Sequence, residues 1–300
     1  MKIRIGFGLG VRTLVNDERF GEAVDALERL HFDSLWVSER IGGAPPPPVV
    51  AMAYAAGRTT KLKFGTPVKV LPPRNPVLVA KELASLDRLS GGRLLPAFGL
   101  GVADPHEQQA FGVARSERAA WFDESLPLIR RLWLEDSVDH DGARFHFEGV
   151  RVLPKPKQQP PDIWLGGIAP SELRRVGRLA DGWLPSFVLP DDVAAGRKVV
   201  EETAAAHGRA IDPEHYGVLI PYALGAVPDA VLTALGKRRA DLADPSVLVP
   251  NGIAALRDRI EAFVDVGFSK FVVLPIAEPD PDALPDHLGW LADELLALQN

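Results

Sequence analysis

Segments with strand and helix periodicity alternate almost without break along this sequence, and few architectures can house that pattern. Ile3–Phe7 predicts a strand, and Asp17–Leu30 a helix with Phe20, Val24, Leu27 and Leu30 on one face. Ser34–Ser38 is a second predicted strand, followed after a run of prolines by a short helix over Val49–Ala56. Leu62–Leu71 and Arg93–Leu100 predict strands three and four. Between them lies helix Pro76–Leu89, in which Pro76 suits the first turn and Gly91-Gly92 marks the end. A polar loop leads to helix Glu117–Trp133. Ala143–Phe147 and Val150–Leu153, separated by Glu148-Gly149, predict a short hairpin, which Pro154–Pro161 connects to strand five, Asp162–Leu165. Strands Gly182–Ser186, Tyr216–Leu224 and Lys270–Leu274 complete the set. Helices over Ser171–Ala180, Asp191–His207, Asp229–Ala240, Ile253–Val266 and Pro285–Leu298 alternate with them.

Eight strands, nearly all followed by helices, imply a parallel sheet, because right-handed crossovers place helices on its outer face. At 300 residues the repeat favours a closed α/β architecture, a single (β/α)8 TIM barrel with a short β-hairpin insertion and extra helices. An open doubly wound sheet is the competing architecture. No linker divides the chain, so residues 1–300 are read as one domain.

The chain is 46% hydrophobic and 25% charged, an ordinary globular balance that supports a large core. A net charge of −6 with scattered Lys and Arg argues against a nucleic-acid-binding face. Cysteine is absent, which excludes disulfides, thiolate metal sites and a cysteine nucleophile. The 7 histidines lack metal-ligand spacing, so no metal site is expected. Met1–Gly10 reads as a strand rather than a signal peptide, and no run of about 18 apolar residues occurs. A cytoplasmic protein without a membrane partner is the expectation. Neither a GxSxG elbow nor a P-loop is present, which points to a cofactor that brings its own chemistry.

In such a barrel the chemistry belongs to the C-terminal ends of the strands. Strand two ends in Glu39-Arg40, whose side chains either pair across the barrel mouth or face a ligand. Strand three carries Gly65-Thr66-Pro67-Val68; proline cannot donate to a ladder, so a bulge or break is expected there, functional or merely irregular. Strand four ends Gly99-Leu100-Gly101-Val102, where missing Cβ atoms admit a flat ring or allow close strand–helix packing. Strand five runs into Gly166-Gly167-Ile168-Ala169-Pro170-Ser171 at the start of a helix. That is either a phosphate site on free N–H groups or an ordinary turn with Ser171 as the N-cap.

Several of these segments together resemble the bacterial-luciferase-like superfamily. They are Phe32–Glu39, the long run Arg74–Arg93, Ile163-Trp164-Leu165-Gly166-Gly167 and Ala180-Asp181-Gly182-Trp183-Leu184-Pro185, in the expected order. The resemblance extends over about residues 3–275 and is similar in flavour to the actinobacterial branch that uses the deazaflavin coenzyme F420; the preference for Arg over Lys fits a GC-rich genome. It implies a cofactor ring backed by a non-proline cis peptide joining Pro67 to Val68. It also implies Leu100, Gly101 and Val102 along the ring, and Gly166, Gly167, Ala169 and Ser171 around a cofactor phosphate. Glu39 would stand near ring and substrate, and Arg40 could orient an anionic or carbonyl group. Trp36, Trp183, Phe187 and the loop after His106 would shape the pocket, with core packing as the alternative for both tryptophans.

Two positions depart from the sugar-phosphate dehydrogenases of that branch. Their acid–histidine pair after strand two reads Glu39-Arg40 here, and their carboxylic acid after strand four is replaced by Val102. Glu39 is the one acid expected to act catalytically. The resemblance implies hydride transfer between F420 and a small organic substrate, in a homodimer. An FMN-dependent monooxygenase and a catalytically silent cofactor-binding protein are the rival expectations.

Overall fold

The computed structural model describes residues 1–10, 17–276 and 283–300. Its strands are β1 (Arg4–Leu9), β2 (Ser34–Val37), β3 (Lys63–Gly65), β4 (Lys69–Val70), β5 (Leu94–Leu95), β6 (Ala97–Gly99), β7 (Val138–Asp141), β8 (His146–Val150), β9 (Trp164–Leu165), β10 (Gly182–Trp183), β11 (Gly217–Tyr222) and β12 (Lys270–Pro275). The helices are α1 (Asp17–Arg29), α2 (Pro48–Arg58), α3 (Pro76–Leu89), α4 (Pro105–Phe111), α5 (Arg115–Leu134), α6 (Pro170–Leu179), α7 (Pro190–Ala206), α8 (Asp229–Arg238), α9 (Ile253–Asp265) and α10 (Leu284–Leu295). None among the described residues is long and apolar enough to cross a membrane.

One run of strands pairs in the order β11-β12-β1-β2-β3-β5 and a second in the order β10-β9-β6-β4. β3 and β4 are one barrel strand interrupted at Thr66-Pro67-Val68, and β5 and β6 are one strand interrupted at Pro96. The two runs therefore share an edge. Parallel bridges Trp183↔Tyr216 and Ser186↔Leu219 join the other ends, closing an all-parallel ring of eight positions. The chain is a closed (β/α)8 barrel rather than an open sheet.

Alternate residues of each strand face the lumen, and bulky and absent side chains complement one another there. Trp36, Ala97, Trp164, Leu184, Leu219 and Val272 form a buried cluster, with Val68, Leu95 and Leu274 packed against it. The indoles need glycine opposite: a Cβ on Gly65 would stand 2.6 Å from the Trp36 ring, and one on Gly182 2.6 Å from Trp164. Trp36 donates to Ser34 Oγ at 2.9 Å. A larger apolar layer, with Phe7, Phe64 and Phe271 on the strands, fills the space beneath the helices.

Two local expectations change. The hairpin forms, but between β7 and β8, with Glu148-Gly149 inside the second strand. Gly142, whose N–H donates to Phe145 O at 3.0 Å, makes the turn, and Gly149 uses its φ of 61° within an irregular register. The polar loop after strand four contains α4, begun by Asp104, which accepts from the His106 and Glu107 amides.

An ion network closes the N-terminal end of the barrel. Asp33 accepts from Lys270 Nζ at 2.7 Å and Lys63 Nζ at 3.0 Å, and Lys270 is buried. Burial alone would raise the Asp33 carboxyl, but the two ammonium groups outweigh it and hold the group well below the usual carboxylate range. Its stabilising contribution is complete above the unfolded-state value near ~4 and is lost as pH falls through the lower folded value. Asp33→Asn is expected to cost about 3 kcal/mol at neutral pH, because Lys270 loses its counter-charge. The substitution should also flatten the acid limb of stability in urea unfolding. An unchanged midpoint and pH profile would refute the assignment.

Candidate active site at the barrel mouth

Above the indoles, three strand ends meet around one side chain. The Pro67–Val68 peptide is cis. Val68 leans along the neighbouring strands so that a Cβ on Gly99 would clash with its Cγ2 and one on Gly166 would lie 3.9 Å from its Cγ1. The same Gly166 Cβ would stand 3.2 Å from the Leu184 carbonyl. Pro67, Val68, Gly99 and Gly166 thus form one floor, largely free of side chains, and Leu100, Gly101 and Val102 continue from its β6 edge. Thr66 Oγ1 is buried there without a hydrogen-bond partner. Gly101 has φ 78°, and a Cβ at that position would meet Arg118 Nη1 at 2.8 Å.

Glu39 and Arg40 do not pair with each other. The Glu39 carboxylate, with its side chain only 6% exposed, accepts from Val70 N–H at 2.7 Å and from both terminal nitrogens of Arg74, at 3.0 and 3.1 Å. Arg74 also donates to the Val70 carbonyl. Past the end of β2, then, the Glu39 side chain supplies the acceptor that a further strand residue would have given to β4. Arg40 turns to α4, donating from Nε to Glu107 at 3.0 Å with Asp104 at 4.0 Å. Glu107 is buried and also accepts the Ile41 N–H at 2.9 Å.

The turn from β9 into α6 is capped from within the chain. Glu172 accepts from the Ile168 and Ala169 amides at 3.1 and 3.0 Å. Ser171 is therefore not the N-cap; Pro170 takes the first helical position, and Ser171 follows it in the exposed first turn. Ala169 is likewise exposed. Trp183 is buried and donates to the Gly167 carbonyl at 3.0 Å, so it braces this turn from the helix side and does not line the mouth. Trp36 fills the lumen. Phe187, at φ 59°, is partly buried beneath the Arg238 guanidinium, 4.8 Å away.

Four neighbours of the floor escaped the sequence reading: Arg74, Glu107, Arg118 and Glu172. Arg118 is buried, donates to Leu100 O at 2.9 Å and keeps Nη2 without a partner. The Phe111 ring lies under both Arg74 and Arg118, at 5.5 and 5.7 Å. Asp104-Pro105 followed by Glu107, and Pro170 followed by Glu172, are readable helix starts. Nothing local marks Arg74 or Arg118 as partners of the floor.

Removing one member of the Glu39–Arg74 pair tests its part in holding the floor. Arg74→Met leaves a buried carboxylate with one N–H and is expected to cost about 2–4 kcal/mol. Glu39→Gln, which leaves the charge on the more exposed partner, should cost only about 1–2 kcal/mol. Urea unfolding of both variants checks the order, and the reverse order would refute the pairing as described.

Comparison with known proteins follows this geometry. Residues 5–263 match the luciferase-like monooxygenase family. A phthiodiolone/phenolphthiodiolone dimycocerosates ketoreductase of Mycobacterium kansasii is 29% identical over 205 residues, 59% of this chain and 55% of that protein. An F420-dependent glucose-6-phosphate dehydrogenase of Kineococcus radiotolerans is 27% identical over 192 residues, 61% of this chain and 56% of its own. The chain thus spans about half the length of the curated relatives it matches. Among solved structures, an F420-dependent secondary alcohol dehydrogenase in complex with an F420-acetone adduct superposes with a TM-score of 0.81 over 100% of both chains at 20% identity. The oxygenating constituent of 3,6-diketocamphane monooxygenase from Pseudomonas putida, in complex with FMN, gives 0.76 over 98% of both at 17%. These two share the fold. With its matched segment running from β1 through most of α9, the chain belongs to the luciferase-like monooxygenase family.

Proposed function

We propose that this protein is an oxidoreductase that uses coenzyme F420 to exchange a hydride with a small organic substrate at the barrel mouth. The observation that carries the reading is the floor in which Val68, on its cis peptide, packs into the space left by Gly99 and approaches Gly166, so that neither glycine sets a side chain of its own against a planar ring. The naming of one sequence relative as F420-dependent supports a deazaflavin over FMN. When bound, the deazaflavin supplies the hydride-exchanging carbon, and the protein supplies position and surroundings.

Each residue then has a physical task. Val68 supports one face of the ring, while Leu100, Gly101 and Val102 border it. Thr66 Oγ1, buried and unpartnered, is a polar atom available beneath the ring. Both Glu39 oxygens already accept N–H bonds, so Glu39 is assigned to positioning rather than proton transfer. Arg40, 32% exposed and steadied by Glu107, can orient an anionic or carbonyl group. It stays charged at neutral pH and does not donate a proton. Gly166 and Gly167 lead toward the cofactor phosphate, with Ala169 and Ser171 on the exposed side of that turn. A homodimer in the cytoplasm completes the reading.

Fluorescence titration with F420 and, in parallel, FMN tests it. Micromolar binding of F420 and weaker binding of FMN is the expected result. Preference for FMN, with aerobic turnover on addition of a reductase, would replace hydride exchange by oxygen chemistry. Gly166→Val should weaken F420 binding by about tenfold or more, while costing about 1–3 kcal/mol of stability. Unchanged affinity would remove the β9 turn from the site.

A further inference from the structure

Two of the amides that a phosphate would use at the start of α6 are occupied. Glu172 Oε2 holds the Ile168 and Ala169 N–H groups, and Pro170 brings none. The Glu172 amide itself donates to Ala169 O at 2.8 Å. Gly167 is shaped for this carboxylate: at φ 94°, a Cβ would stand 2.5 Å from Glu172 Oε2 and 2.6 Å from its Cδ. Gly167, the second glycine of the pair that suggests a phosphate cradle, is therefore required by an anion already belonging to the chain. A cofactor phosphate arriving at this turn meets like charge and finds the Ile168 and Ala169 donors taken.

The turn is held more firmly than the side chain that fills it. Trp183 fixes the Gly167 carbonyl, whereas the Glu172 side chain is only partly buried. Arg238 on α8, which lies over the Phe187 ring, attracts the Glu172 charge. We propose that Glu172 is a built-in competitor for the cofactor's phosphate, so that the chain recognises its cofactor mainly through the ring, and the phosphate adds affinity only as Glu172 leaves α6. This rests on the barrel mouth being a flavin-type cofactor site.

The test compares two probes by fluorescence titration of the full chain: 8-hydroxy-5-deazaflavin mononucleotide, and the same ring and ribityl chain without the phosphate. The wild-type protein is expected to bind them within about fivefold of one another. Glu172→Gln should tighten the mononucleotide about tenfold and leave the phosphate-free compound within about twofold. Glu172→Ala should show the same selectivity, with thermal unfolding as the control for the lost helix cap. Mononucleotide affinity that is unchanged or weakened in both variants overturns the proposal, while binding of the phosphate-free ring keeps the cofactor reading in place. Failure of all three proteins to bind either probe overturns the cofactor reading and the proposal together.

Discussion

Proline within a barrel strand leaves a hole in the hydrogen-bond ladder, and everything around the mouth is arranged to fill it. Thr66-Pro67-Val68 separates β3 from β4, and β2 ends at Val37, too early to pair with β4. The Val70 N–H and C=O are left facing that gap. Glu39 accepts from the one and Arg74 donates to the other, while the two side chains bind each other. A salt bridge thus completes a ladder position. The arrangement accounts for a buried acid at the mouth without calling on proton transfer.

The lumen is divided by side-chain size. Trp36 and Trp164 fill its interior against glycines, and that packing gives the barrel a solid base. Toward the C-terminal ends, Gly99 and Gly166 leave Val68 as the main bulk between them. Glycine does the same work at the two levels: below, it makes room for indoles of the chain itself, and above, for Val68.

The barrel was legible because its signals are local. Alternating periods, Pro76 at a helix start and Gly91-Gly92 at its end are each readable within a few residues. The hairpin register was misread because a Glu-Gly pair reads as a turn, whereas Gly149 serves an irregular strand and Gly142 makes the turn. At the barrel mouth, the strand ends that carry Glu39, Val68, Gly99 and Gly166 come together. The partners did not follow from them. Glu39 meets Arg74 across 35 positions and Arg40 meets Glu107 across 67, distances at which a charge pair leaves no spacing signal. Arg118 was passed over because a fully buried guanidinium is rare among arginines and has no sequence signature. Glu172 illustrates the converse. Its place two residues after Pro170 is legible as a helix start, while the neighbouring glycine pair reads as a ligand cradle.

Phe111 lies under the same two guanidinium groups that hold the β4 ladder and the Leu100 carbonyl, and its helix carries the Glu107 that steadies Arg40. Helix α4 is consequently fastened to the floor of the barrel mouth. Loop exchange among relatives would not be modular at this point: a graft that changes α4 without Phe111 and Glu107 would loosen the floor along with the entrance. Substitutions in α4 that spare the floor are then confined to residues that face away from both arginines.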